Sequence, residues 1–162
     1  MSVAVLNLGT NVGDRAANIN AMQEAVAKLS KTPVICSPLY ESEALDVKSP
    51  QENYYNKIIR IETDESPEYL LGMTQVIEVK LGRDTKWDKA PRSADIDILL
   101  FGGLRKFTPE LTLPHPRMFF RRFAIEGVKA VASDLQNPLT GELFANYSIS
   151  EEILSQKMKI IS

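Results

Sequence analysis

Apolar residues recur along this chain with two periods, and the changes of period divide it into elements. Val3 to Leu8 is a short apolar run that stops at Gly9, the pattern of a buried strand. A glycine-containing turn follows, Gly9 to Asp14, with Asp14 placed to cap a helix. Ile19, Met22, Val26 and Leu29 then recur at three- and four-residue steps, which predicts an amphipathic helix to about Lys31. After Pro33 a second strand is expected over Val34–Tyr40, then a loop from Glu41 to Asn53, long enough to suggest ligand binding. Tyr54–Thr63 reads as the longest strand, with Tyr54, Asn56 and Ile58 on one face and Ile59 and Ile61 on the other. Ser66-Pro67-Glu68 is a helix start, Leu70, Met73, Ile77 and Leu81 make the stripe, and Gly82 stands at the C-terminal end.

A polar stretch from Arg83 to Ala90 carries Trp87 among charges and leads to a further strand ending at Phe101. Arg121, Arg122 and Phe123 open a helix that runs through Ile125 and Val128 to about Ala132, and Ser150–Ile160 reads as a last helix. The order strand, helix, strand, strand, helix, strand is the βαββαβ pattern. It predicts an α+β, ferredoxin-like domain over residues 1–162: an antiparallel sheet, both helices on one face, and added C-terminal helices. Many unrelated functions use this fold.

The candidate chemistry sits on the strand that follows Pro91-Arg92-Ser93. Alternation projects Asp95 and Asp97 together, with Cβ atoms about 7 Å apart, and sends Ala94, Ile96, Ile98 and Leu100 to the opposite face. Two carboxylates so placed can hold hard cations, and Mg²⁺ typically takes one or two carboxylates plus phosphate oxygens. Arg92, just upstream, could neutralise phosphate charge. Alone, Asp-x-Asp is more often a solvated pair, so the neighbours decide. Tyr54 and Asn56 beside the long loop could clamp a flat heterocycle by stacking and amide hydrogen bonds. Gln75 and Glu78, three apart, share one helix face, and the only histidine, His115, lies between two prolines.

Composition narrows the partners. A net charge of −2 over 162 residues gives no field for gripping nucleic acid or an anionic membrane, so any phosphate binding is local. The single cysteine, Cys36, excludes an internal disulfide, fits a reducing compartment, and is expected to pack as a small hydrophobe. No stretch reaches membrane-span length, and the first residues do not read as a cleavable leader, which makes the cytoplasm the expected location.

The motifs together resemble one family, the 6-hydroxymethyl-7,8-dihydropterin pyrophosphokinases of folate biosynthesis. They are Leu8–Asp14 (LGTNVGD), the tyrosine and asparagine at Tyr54 and Asn56, Thr74–Glu78 (TQVIE), Leu81–Arg83, Pro91–Gly102, and LPHPRM with Arg121 and Phe123. They stand in the family's order over about residues 3 to 130. The resemblance implies transfer of the pyrophosphoryl group of ATP to the pterin's hydroxymethyl oxygen, with release of AMP. It implies that Asp95 and Asp97 ligate two Mg²⁺ ions and that Arg83 and Arg92 bind the triphosphate. His115 and Arg121 would contact phosphate or ribose. Gln75, Glu78, Ile98, Leu111 and Thr112 would line the nucleotide pocket. Ser42, Leu45, Tyr54, Asn56 and Phe123, with Asp95, would form the pterin pocket. The expected partners are therefore small molecules, and the expected state is a monomer.

Departures from the family pattern fall in loops. Ser42-Glu43-Ala44-Leu45-Asp46 replaces the usual Thr-x-Pro-x-Gly, which changes the stiffness of that loop. Lys89-Ala90 stand where Trp-Gly is usual, with Trp87 two residues earlier as a candidate lid, and Thr85 replaces a second arginine. The segment from Asn137 to Tyr147 has no clear counterpart. A non-catalytic nucleotide- or metal-binding module is the competing reading, and binding alone would not need so many groups converging on a triphosphate.

Overall fold

The computed structural model describes residues 1–43, 51–82 and 93–162. Strand β1, Ser2–Thr10, is the spine, and its residues from Ala4 to Thr10 are all buried. Helix α1, Arg15–Ala27, starts as expected: the Asp14 carboxylate accepts the Ala17 N–H at 3.0 Å. Ile19, Met22 and Val26 form its buried stripe.

The second strand is divided in two, β2 at Ile35–Cys36 and β3 at Tyr40–Ser42. The break falls at Ser37-Pro38. Pro38 has no N–H for the ladder, and Ser37 bridges the gap, its N–H donating to the Ile58 carbonyl at 2.8 Å and its hydroxyl accepting the Ile58 N–H at 2.9 Å. β3 also carries regular pairing through Ser42, into what reads from sequence as loop.

Strand β4, Tyr54–Thr63, pairs antiparallel with β1, β2 and β3. Helix α2, Pro67–Lys80, has Ser66 as N-cap, accepting the Tyr69 N–H at 3.1 Å, and Gly82 beyond its end at φ 95°. Strand β5, Asp95–Phe101, lies antiparallel on the other side of β1. A short hairpin follows, β6 at Lys106–Phe107 and β7 at Thr112–Leu113. A 3₁₀ turn, Pro116–Phe120, leads into helix α3, Arg122–Val131.

The C-terminal segment departs from the single helix that its periodicity predicts. Only Glu151–Leu154 is helical (α4), and Met158–Ile160 forms strand β8, antiparallel to β3. The outer edge of β3 offers a row of backbone partners, and an edge that would otherwise stay open overrides a weak local helical pattern.

The sheet order β5-β1-β4-β3-β8 contains the ferredoxin-like order of its first four members, extended by the C-terminal strand. It separates two apolar layers. One holds Leu6, Leu8, Ile59 and Ile96 against α1 and α2. The other holds Val5, Ile58, Leu99 and Leu100 against α3 and the anchor Phe144.

Leu100 therefore lies on the face opposite to the one that strict alternation assigns it. The register shifts between Val5 and Leu6, pairing Val5 with Leu100 and Leu6 with Ile98. Leu99 is the extra residue of a β-bulge, which reverses the alternation beyond it. Asp95 and Asp97 precede the bulge and keep their common face.

Candidate active site

The second face of the sheet is covered by α3 over only part of its length. Beyond that cover it floors a cleft of about 370 Å³, walled by the 3₁₀ turn, the start of α3 and the segment before β7. Asp95 and Asp97 both open into it from β5. Their strand is held from the side by α2: the buried Glu78 carboxylate accepts the Ile96 N–H, between the two aspartates, at 2.9 Å. An edge-strand amide thereby gains a charge-assisted bond, and the aspartates are fixed through the backbone.

Beside them runs a row of polar side chains across four strands. Asp97 of β5 is opposite Asn7 of β1. The Asn7 amide donates to Asn56 Oδ1 of β4 at 3.4 Å, and the Asn56 amide donates to Ser42 Oγ of β3 at 3.2 Å. Asn7 and Asn56 are only 7% and 2% exposed, so these bonds form where water does not compete. Gly9, opposite both Asn56 and Asp95, makes the row possible. A β-carbon on Gly9 would stand 2.9 Å from Asn56 Oδ1. Asn7 Oδ1 is buried and has no hydrogen-bond partner among the described residues.

The facing wall is basic. His115, Arg117 and Arg121 line it, with Phe123 closing the inner end. His115 Nδ1 accepts the Arg117 N–H at 3.2 Å, so in the neutral ring the proton is on Nε2, which faces Asp97 Oδ1 at 3.9 Å. The histidine main chain is anchored as well, its N–H donating to the Leu99 carbonyl at 2.9 Å.

Most residues singled out from sequence meet here. Ser42, Tyr54, Asn56, Asp95, Asp97, Ile98, Leu111, Thr112, His115, Arg121 and Phe123 all line the one cleft. Gln75 and Glu78 do not: Gln75 is exposed on α2, and Glu78 is buried behind β5. Leu71 is the α2 residue that reaches the cleft. Leu45, Arg83, Trp87 and Arg92 lie outside the described residues. Asn7, Glu110 and Arg117 line the cleft without having been singled out. For Asn7 a signal was available, a polar residue inside an otherwise apolar strand. Cys36 packs against the α1/α2 layer, and burial pushes its thiol pKa up, so it remains a protonated hydrophobe as expected.

Among the described residues no three His, Cys, Asp or Glu side chains converge to enclose a metal ion. Two carboxylates on one strand face suit a hard cation that completes its shell from a ligand, as Mg²⁺ on a polyphosphate does.

Fold and cleft together define an α+β domain of ferredoxin-like topology in which two carboxylates face a basic wall beside an amide row. The sequence profile of the 7,8-dihydro-6-hydroxymethylpterin-pyrophosphokinase (HPPK) family matches residues 5–133, and the chain belongs to that family. The Bacillus subtilis 2-amino-4-hydroxy-6-hydroxymethyldihydropteridine pyrophosphokinase is 33% identical over 143 residues, covering 86% of this chain and 83% of that protein. The Haemophilus influenzae protein of the same name is 35% identical over 139 residues, with 85% and 86% covered. The folic acid synthesis protein fol1 of Pneumocystis carinii is 34% identical over 157 residues, and the chain spans 20% of its length. A solved wild-type HPPK-DHPS of Plasmodium falciparum shares the fold, with a TM-score of 0.65 over 98% of this chain and 48% of that one, at 14% identity.

Proposed function

We propose that this chain transfers the pyrophosphoryl group of ATP to the hydroxymethyl oxygen of 6-hydroxymethyl-7,8-dihydropterin, releasing AMP. The observation that carries this reading is the placement of Asp95 and Asp97 within one cleft, opposite His115 and Arg121 and beside the Ser42–Asn56–Asn7 row. One end suits a polyphosphate, the other a flat, hydrogen-bonding heterocycle.

The substrate hydroxyl attacks the β-phosphorus in line. A new O–P bond forms, the bond from the β-phosphorus to the α,β-bridging oxygen breaks, and AMP leaves with that oxygen. The hydroxyl proton is lost to water. Asp95 and Asp97 would hold two Mg²⁺ ions, which when bound neutralise triphosphate charge and lower the pKa of the hydroxyl. Arg121 and Arg117 add positive charge from the opposite wall, and the His115 Nε2–H is placed to donate to an anionic oxygen. Asn56, fixed by two neighbours, reads the edge of the pterin, while Tyr54 and Phe123 supply apolar surface for its ring. Positioning and electrostatics, rather than a strong side-chain base, carry the rate.

The domain acts as a monomer in the cytoplasm, and its single cysteine suits that reducing compartment. Asp97→Ala tests the assignment. Turnover should fall by at least about a thousandfold, with the circular dichroism of the wild type retained. Near-normal turnover would sink the role given to the two aspartates.

A further inference from the structure

The C-terminal segment lies beyond the family match at residues 5–133, yet it touches two walls of the cleft. Through β8 it pairs with β3, placing Met158 opposite Ser42, and Lys157 Nζ lies 3.6 Å from Glu43 Oε1. Through Gln156 it reaches the start of α3. That helix begins without a side-chain cap of its own, because Arg121 occupies the N-cap position and makes no capping bond. The Gln156 amide supplies what is missing. Its Oε1 accepts the Arg122 N–H at 2.9 Å, and its Nε2 donates to the Phe120 carbonyl at 2.7 Å.

Those two backbone groups flank Arg121 on either side. Arg121 is held between them in an extended conformation, φ −124° and ψ 120°, at the switch from 3₁₀ turn to helix. The clamp is braced in turn: Arg122 Nη1 donates to the Leu154 and Gln156 carbonyls, each at 3.1 Å, and Arg122 Nε donates to Glu126 at 2.8 Å. One planar amide thus fixes the backbone on both sides of a residue whose side chain lines the cleft. Fixing the backbone removes two torsions that Arg121 would otherwise have to order when an anion binds.

We propose that Gln156 is a positioning residue that holds Arg121 ready for the triphosphate of the nucleotide. This rests on the reading of the cleft given above. The test is a double-mutant cycle on Gln156→Ala and Arg121→Ala in the full chain, read as affinity for Mg²⁺ and a non-hydrolysable ATP analogue. Gln156→Ala should weaken binding by roughly tenfold, since much of a charge-assisted contact is lost. In the Arg121→Ala background it should add little, because its partner is gone. Melting temperature should drop by roughly 2–4 °C in both backgrounds, from loss of the cap alone.

Unchanged affinity in Gln156→Ala, or an equal loss with and without Arg121, would overturn the proposal, the latter marking a merely structural support. A wild-type chain that binds no nucleotide would overturn the reading of the cleft instead. The clamp is then judged by hydrogen exchange at the Arg122 amide: at least about tenfold faster in Gln156→Ala if it is formed, unchanged if it is not.

Discussion

Asn7 sits in β1 between an aspartate and an asparagine, Asp97 of β5 on one side and Asn56 of β4 on the other. Its amide gives one bond to Asn56, while its Oδ1 is buried without a partner among the described residues. Leaving a buried acceptor unpaired costs about 1–3 kcal/mol. Removing the side chain therefore has two opposed effects on the fold, relief of the orphan and loss of packing. We expect Asn7→Ala to stay within about 1 kcal/mol of the wild type in denaturant unfolding. Its affinity for the pterin should nevertheless drop by roughly fivefold, as Asn56 loses the neighbour that orients it. A large loss of stability with unchanged pterin affinity would make Asn7 a core residue only.

At the scale of elements, α3 and β4 approach closely at Gly127. A β-carbon on Gly127 would lie 2.1 Å from Ile58 Cγ1, so nothing larger than glycine fits without the helix moving. Gly127→Ala should destabilise the protein by about 1–3 kcal/mol despite alanine's better helix propensity. A stabilised variant would contradict the close approach.

Arg60 of β4 ties the same region together, its Nη1 donating to the carbonyl of Val131, the last residue of α3, at 3.2 Å and to Asp134 Oδ1, just beyond the helix, at 2.6 Å. Hydrogen bonding from Arg60 holds the Asp134 carboxyl below its ordinary 3.8. A depressed carboxylate gives stability that is present above its unfolded pKa and lost as pH falls through its folded one. Asp134→Asn should therefore be slightly less stable at pH 7, by no more than about 1 kcal/mol because the side chain is exposed, and the deficit should disappear in acid below pH 3.8. A deficit that persists in acid would assign the effect to packing.

Elements with a strong local signal were legible in sequence. Asp14 and Ser66 cap their helices as read, and Ile19, Met22 and Val26 of α1 and Leu70 and Ile77 of α2 are buried in the core. What periodicity missed depends on pairing between distant segments. Strand β8 exists because β3 has an edge to fill, and the bulge at Leu99 arises from matching β5 to β1. The cleft was legible mainly as motifs. Asp95 and Asp97 follow from alternation, whereas the support that Glu78 gives Ile96 from behind the strand depends on how α2 is laid against β5.

Across the whole molecule, one sheet divides the work between its faces. The α1/α2 face is mostly core, and Leu71, Ile96, Ile98 and Leu111 of that layer also reach the cleft. The other face is shared between the α3 core and the cleft, so the polar row of Asn7 and Asn56 continues the strands that carry Val5 and Ile58. Site residues on rigid strands need little rearrangement to bind. This cleft is expected to carry out pyrophosphoryl, not phosphoryl, transfer. The most direct measurement is product analysis by chromatography of purified protein with ATP, Mg²⁺ and 6-hydroxymethyl-7,8-dihydropterin. Pterin-dependent AMP without ADP is the result expected here; ADP, or no consumption of nucleotide although ATP binds, would contradict it.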